Sequence, residues 1–162
     1  MTKRMPKNWA PPYPAWEAEF GTDVTEVVMG YFGIQTKAGN GTTDEFVNWF
    51  KSAQEVDNGP AVVERARVTD RHGYLNEFLI AYWTNPEVYQ AWAADPFSDW
   101  WNDPQRLKGD AGYWREVLRV PKPRFETLVS SENEVGVARV GNRLVSDIKA
   151  HAYWAACATA SP

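Results

Sequence analysis

The chain contains two histidines and a single cysteine, so any proton transfer, nucleophilic attack or metal binding must rest on very few side chains. His72 sits in the charged turn Asp70-Arg71-His72-Gly73 and reads as solvent-exposed. His151 stands beside Tyr153 and Trp154, which leaves three readings open: a buried hydrogen-bonding imidazole, a residue lining a site, or a metal ligand. Cys157 has no neighbouring base and lies in an alanine-rich stretch, so it reads as an incidental thiol. One cysteine also excludes an internal disulfide framework and an all-cysteine metal site. Glu77 is the odd charge in an apolar segment; it is expected to pair with Arg65 or Arg67 across a hairpin, with catalysis as the lesser alternative. Asp95, Asp99 and Asp103 lack the alternation and closing glutamate of a calcium loop. Neither GxGxxG nor GxxxxGK[ST] occurs, which removes the phosphate-loop routes to nucleotide binding.

Aromatic residues carry more information. There are nine Trp, seven Tyr and seven Phe. Trp83, Trp92, Trp100, Trp101 and Trp114 fall on or around one predicted layer. Large rings dominate apolar burial, so most should be core, while some could wall a flat apolar ligand. Periodicity does not separate those two roles.

The elements that must position these residues follow from length and pattern. At 162 residues, 44% hydrophobic and 23% charged, with a formal charge of -4, the chain can build a core without staples. No stripe of Lys and Arg supplies a nucleic-acid footprint. No apolar run approaches a membrane span, and the first residues lack the apolar stretch of a secretory signal. The expectation is therefore a cytoplasmic chain with neither nucleic acid nor membrane as partner.

Three prolines among three aromatics from Trp9 to Trp16 predict an extended arm. Glu26 to Thr36 reads as a long strand, in which Gly30 and Gly33 suggest close approach by a helix, a bulge, or something lying on the sheet. Thr42 with Glu45 is a capping-box signature, and Phe46, Trp49, Phe50 and Ala53 predict a helix over 43–56. Strands are expected from Ala61 to Thr69 and from Leu75 to Trp83, joined by the Asp70–Gly73 turn. Asn85-Pro86-Glu87 starts a second helix, which Asp95-Pro96 interrupts. Gly112 to Val120 is a fourth strand. Phe125 to Val129 could add another, and Val135 to Leu144 suits a loop with a short strand. Ser146 could cap a short helix.

This order predicts an α+β, ferredoxin-like split βαββαβ fold, an antiparallel sheet with both helices on one face, taken as the dimeric α/β-barrel type. The expected organisation is an arm over 1–25, a ferredoxin-like domain over 26–128 and a connection over 129–162 toward a missing second repeat.

Several ordered motifs then accumulate: Pro12-Tyr13-Pro14-Ala15-Trp16, Val27 through Gln35, Asn58-Gly59-Pro60, Tyr82-Trp83, Ser98-Asp99-Trp100-Trp101, Gly112 through Glu116, Arg124 through Leu128, and His151-Ala152-Tyr153-Trp154. Together they resemble the N-terminal half of the haem-containing aldoxime dehydratases, from about Trp9 to Trp154. The resemblance implies two ferredoxin-like repeats, haem b as cofactor, and a small aldoxime, R-CH=N-OH, as substrate for conversion to a nitrile and water. In that family the substrate nitrogen meets ferrous haem, a distal histidine helps the hydroxyl leave as water, a serine and an arginine orient it, and another histidine is the proximal ligand.

Carried over residue by residue, the resemblance assigns this chain no catalytic residue and no metal ligand. The family's two histidines and serine match no position up to Pro162, and the arginine position is Ala160. His151 matches a family histidine near the site, and Met29 matches a methionine of the first strand. Both are expected to contribute to cofactor binding.

The segment Cys157-Ala158-Thr159-Ala160-Ser161-Pro162 has a specific expected origin. Family-like Met-Arg-Asp-Arg-Leu-Pro, written ATG CGC GAC CGC CTC CC and read one base later, yields this string. Genomic sequence that lacks the remaining half in another frame would sink this idea. Three functional readings result: an inactive N-terminal fragment of an aldoxime dehydratase; a small haem-binding or monooxygenase-like α+β dimer; or a non-catalytic module that self-associates or pairs with a separate second half.

Overall fold

A computed structural model describes residues 15–37, 41–95, 111–125, 128–130, 135–140 and 142–145. Within them the chain runs β1 (Ala15–Ala18), β2 (Glu26–Lys37), α1 (Thr42–Gln54), β3 (Val62–Thr69), β4 (Tyr74–Trp83), α2 (Pro86–Ala94), β5 (Ala111–Pro121), β6 (Leu128–Ser130) and β7 (Asn142–Val145). Single 3-10 turns occupy Lys122–Arg124 and Gly136–Arg139. Contacts gather the chain into two units, Thr22–Phe125 on the one hand and Met1–Gly21 with Glu126–Pro162 on the other.

The larger unit holds the split β2-α1-β3-β4-α2-β5 order in an antiparallel sheet of strand order β3-β4-β2-β5. The α+β ferredoxin-like sheet with two helices agrees with expectation, but the barrel assignment is corrected. The sheet is open, with β3 and β5 each paired on one side among the described residues. Small barrels close with about eight strands, because tilt and stagger must return the last strand to the first; four strands do not reach.

Side-chain alternation divides the sheet into two faces. Val28, Phe32 and Ile34 of β2 pair in register with Trp83, Leu79 and Glu77 of β4 on the helix side. The stripe Phe46, Trp49, Phe50 and Ala53 of α1 closes over them and is buried, as its helical spacing predicts. The expected capping box does not form: Gly41 is the N-cap and no side chain caps the helix. Asp44 and Glu45 in the first turn and Lys51 in the last still favour the helix dipole. In α2 the predicted start is observed, with Asn85 Oδ1 accepting from the N–H groups of Glu87 at 2.9 Å and Val88 at 3.2 Å, and Pro86 beginning the helix.

Trp92 brings α2 onto the same core, its ring centroid 5.0 Å from Trp83 and 5.8 Å from Phe32. Buried indoles need a hydrogen-bond acceptor. Trp92 Nε1 donates to Ala53 O at 2.9 Å, tying α2 to the end of α1, and Trp83 Nε1 donates to Asn58 O at 3.3 Å.

The smaller unit contains a three-stranded antiparallel sheet, β6-β1-β7. Trp16 stands opposite Val129 on one side and Leu144 on the other. The expected strand near Phe125–Val129 appears as β6, and the short strand expected before Leu144 appears as β7. The rest of the arm (1–14) and the helix expected after Ser146 lie outside the described residues.

Candidate functional site

The face of the four-stranded sheet opposite the helices carries the odd-numbered residues of β2. Met29 lies in a row with Tyr82 of β4 and Leu118 of β5; Tyr31 lies in the next, between Ile80 and Glu116. In the third row Gly33 sits between Phe78 and Trp114. A Cβ placed on Gly33 would collide with the Trp114 indole. The glycine therefore lets that ring lie on the β2 backbone, one of the three alternatives the glycine pattern left open.

With Trp114 lowered onto the sheet, three rings meet. Tyr31 and Phe78 stack with centroids 5.8 Å apart and planes inclined by 4°, while Trp114 is 5.4 Å from Phe78 and 6.4 Å from Tyr31. All three are half-buried, and Leu118 nearby is 52% exposed. The result is a flat aromatic platform with a thioether, Met29, in the row next to Tyr31.

Polar groups bound the platform at one end. Gln35 Nε2 donates to Asn76 Oδ1 at 2.8 Å, and Asn76 Nδ2 donates to Tyr74 O at 3.2 Å. Asp70 Oδ1 accepts from the N–H groups of His72 at 2.8 Å and Tyr74 at 3.0 Å. Burial opposes the Asp70 carboxylate, but bonds from Tyr74, His72 and the Asn76 side chain outweigh it and hold the carboxyl below its ordinary range. At the other end burial, aided by the charge of Glu64, raises the Tyr82 phenol above 10.0. That hydroxyl stays protonated at neutral pH and is available as a hydrogen-bond donor, not as a base.

The residues singled out in the sequence are distributed unevenly. Met29 is half-buried on the platform face. His72 is in the β3–β4 turn, where Arg71 Nε donates to its Nε2 at 3.1 Å, and does not share that face. Glu77 is fully buried on the helix side and bonds both Arg65 Nε and Arg67 Nε, so the expected pairing engages both arginines. Arg67 also reaches Asp44 of α1 at 3.1 Å. Glu77 thus secures the hairpin to α1 and is structural. Trp83 and Trp92 are core, whereas Trp114 is on the platform. Asp95 ends α2 as its C-cap. His151, Cys157, Asp99, Asp103, Trp100 and Trp101 lie outside the described residues. The Tyr31–Phe78–Trp114 grouping is what sequence reasoning missed; its signal was the lone glycine aligned with rings on both neighbouring strands.

Haem is the group to test against this geometry. A flat half-exposed aromatic surface with a soft thioether fits the wall of a planar apolar group. No cluster of three or more His, Cys, Asp or Glu side chains that could hold a metal ion occurs among the described residues. The platform thus fits as a wall for such a group. Among the described residues no helix is long and apolar enough to cross a membrane.

Comparison with known proteins points the same way. Residues 30–159 match the model of a family described as haem-containing dehydratase. The chain is 35% identical over 157 residues to the phenylacetaldoxime dehydratase of Bacillus sp. (strain OxB-1), covering 95% of this chain and 44% of that protein. It is 30% identical over 158 residues to the aliphatic aldoxime dehydratase of Pseudomonas chlororaphis, covering 95% and 45%. A crystal structure of an aldoxime dehydratase superposes with a TM-score of 0.68 at 29% identity, over 86% of this chain and 41% of the other. A second, solved with butyraldoxime, gives 0.70 at 27%, over 89% and 42%. The chain therefore spans less than half the length of the relatives it matches.

Proposed function

Since the chain belongs to the haem-containing dehydratase family, we propose that it takes part in dehydrating an aldoxime to a nitrile and water, as one portion of a haem site and not as a complete enzyme. The family match over residues 30–159 carries this reading. The platform supports it. Met29, Tyr31, Phe78 and Trp114 would present a flat apolar wall to haem b and keep water from it, and His151 is assigned to cofactor binding on the family resemblance alone. When bound, ferrous haem supplies electron density that assists N–O cleavage. The Tyr82 hydroxyl, held protonated, can donate a hydrogen bond at the edge of that wall.

The groups needed to finish the reaction are not assigned to this length. The resemblance leaves the proximal and distal histidines and the serine without matching positions and puts Ala160 where an arginine is expected. A poor leaving group such as hydroxide requires a positioned acid. The 162-residue chain taken alone is therefore expected to be inactive and to hold haem loosely.

The test is nitrile formation from an aldoxime under reducing conditions with added haem. The chain is assayed alone and with a polypeptide made from the portion of the Bacillus relative outside its match. Product is expected only from the combination. Robust turnover by the short chain alone would overturn the division of labour, and no turnover by a combination that assembles and holds haem would overturn the activity. A sharp Soret band surviving gel filtration of the short chain would contradict loose haem binding.

A further inference from the structure

Two asparagine–glycine steps occur in the chain, Asn40-Gly41 and Asn58-Gly59. Such a step is chemically labile, because glycine has no side chain to keep its amide nitrogen from the preceding carboxamide. When that nitrogen loses its proton and attacks Cγ, a C–N bond forms, ammonia leaves and a succinimide ring results. Water then opens the ring at either carbonyl. The product is aspartate or, with the main chain rerouted through the former side chain, isoaspartate. Asn40 lies outside the described residues, whereas Asn58 and its surroundings are described.

Asn58 stands in the connection between α1 and β3, and the fold demands the glycine that follows it. A Cβ on Gly59 would lie 2.3 Å from Gln54 O and 3.0 Å from Val56 O, both of them backbone atoms at the end of α1. The labile step is thus a consequence of how tightly the chain turns there. Two hydrogen bonds oppose its reaction. Gly59 N–H donates to Val56 O at 2.8 Å, which keeps the proton on the nitrogen that must attack. Asn58 O accepts from Trp83 Nε1 at 3.3 Å, and Trp83 is 1% exposed. That carbonyl and that N–H belong to one peptide unit. It is held at both ends, and turning it toward Cγ breaks both bonds.

We propose that Asn58 is a deamidation site protected by this turn: the carboxamide is stable while Val56 and Trp83 hold the Asn58–Gly59 peptide, and cyclises when the turn opens. Opening a surface connection costs less free energy than unfolding the whole unit. The product works against reclosure. Isoaspartate lengthens the main chain by a methylene and displaces the carbonyl, which leaves a buried indole N–H without its acceptor. This modification is independent of the dehydration reading.

The test follows the full 162-residue chain in mildly alkaline buffer, folded or in urea, by mass spectrometry of its tryptic peptides. Asn58 is the sole asparagine of peptide 52–65, and conversion makes that peptide one mass unit heavier. Folded wild type is expected to convert at least about tenfold more slowly than the chain in urea. Trp83→Phe keeps a ring and loses the N–H, and should convert several times faster than wild type under folding conditions. Phe46→Leu, a core change in the first half of α1, controls for lost stability and should stay near the wild-type rate. Far-UV circular dichroism checks that both variants fold. Chains carrying isoaspartate at this position, separated by ion exchange, should unfold at a lower urea concentration. Equal rates for folded and unfolded wild type would overturn the protection, and no conversion in urea would overturn the site. An unchanged rate in Trp83→Phe, or equal acceleration by Phe46→Leu, would overturn the role of the Trp83 bond. An unchanged urea midpoint after conversion would overturn the barrier to reclosure.

Discussion

On the helix side of the four-stranded sheet, Trp83 and Trp92 are 1% and 2% exposed, and each indole N–H donates to a backbone carbonyl. Across the same strands, Tyr31, Phe78 and Trp114 touch one another yet remain half-buried. Both faces are aromatic and both are built from alternate residues of β2 and β4. They differ in what lies over them: α1 and α2 complete one, and neither of these described helices lies over the other. The charges follow the same division. Glu77 is buried on the helix side because two guanidinium groups meet it, whereas Glu116 stands exposed at the rim of the platform. One face is closed by α1 and α2, and the other keeps its rings half-buried.

The contrast can be broken by substitution. The largest effect belongs to Trp92→Ala, which removes a ring packed on Phe32, Phe50 and Trp83 together with the bond to Ala53. A loss of about 3–5 kcal/mol in urea unfolding is expected. Trp114→Ala should cost less than half as much; equal losses would mean that the platform is core and the two faces do not differ. Next comes Gly33→Ala, whose methyl would meet the Trp114 indole. Displacing a ring from a packed position costs about 1–3 kcal/mol, and near-UV circular dichroism should change as the ring lifts. An unchanged spectrum with unchanged stability would show that the glycine does not seat the tryptophan.

The smallest effect is at Asp70. Its folded pKa lies below 3.8, so its contribution to stability is fully present above that value and is lost as pH falls through the folded pKa. Asp70→Asn should lower neutral stability slightly and flatten the acid limb of a stability–pH profile below about pH 4 by the same small amount, because solvent screens the group. An acid limb identical to wild type would remove this carboxylate from the account.

Local chemistry made much of this legible. Asn85-Pro86-Glu87 marks a helix start because a carboxamide can accept the first free N–H groups and proline needs none, and the start is where it should be. Alternation in β4 separated Phe78, Ile80 and Tyr82 from Leu79, Ala81 and Trp83, as the register shows. Thr42 misled because a capping box needs its residue just outside the helix; Gly41 holds that place and Thr42 lies in the first turn. The barrel expectation failed for another reason, since closure depends on how many strands pair and how far they shift, which alternation does not encode. The same limit hid β1 as the central strand of β6-β1-β7, whose partners lie more than a hundred residues along the chain.

By itself, the sequence determined the strands and helices of the larger unit, which side of each is apolar, and that few groups here can do acid–base or metal chemistry. These depend on residue type and near neighbours. The tertiary structure alone decided that Gly33 lies beneath Trp114 and that three rings from three strands form one platform. Each is a matter of strand order and register, settled by packing between residues far apart in the chain.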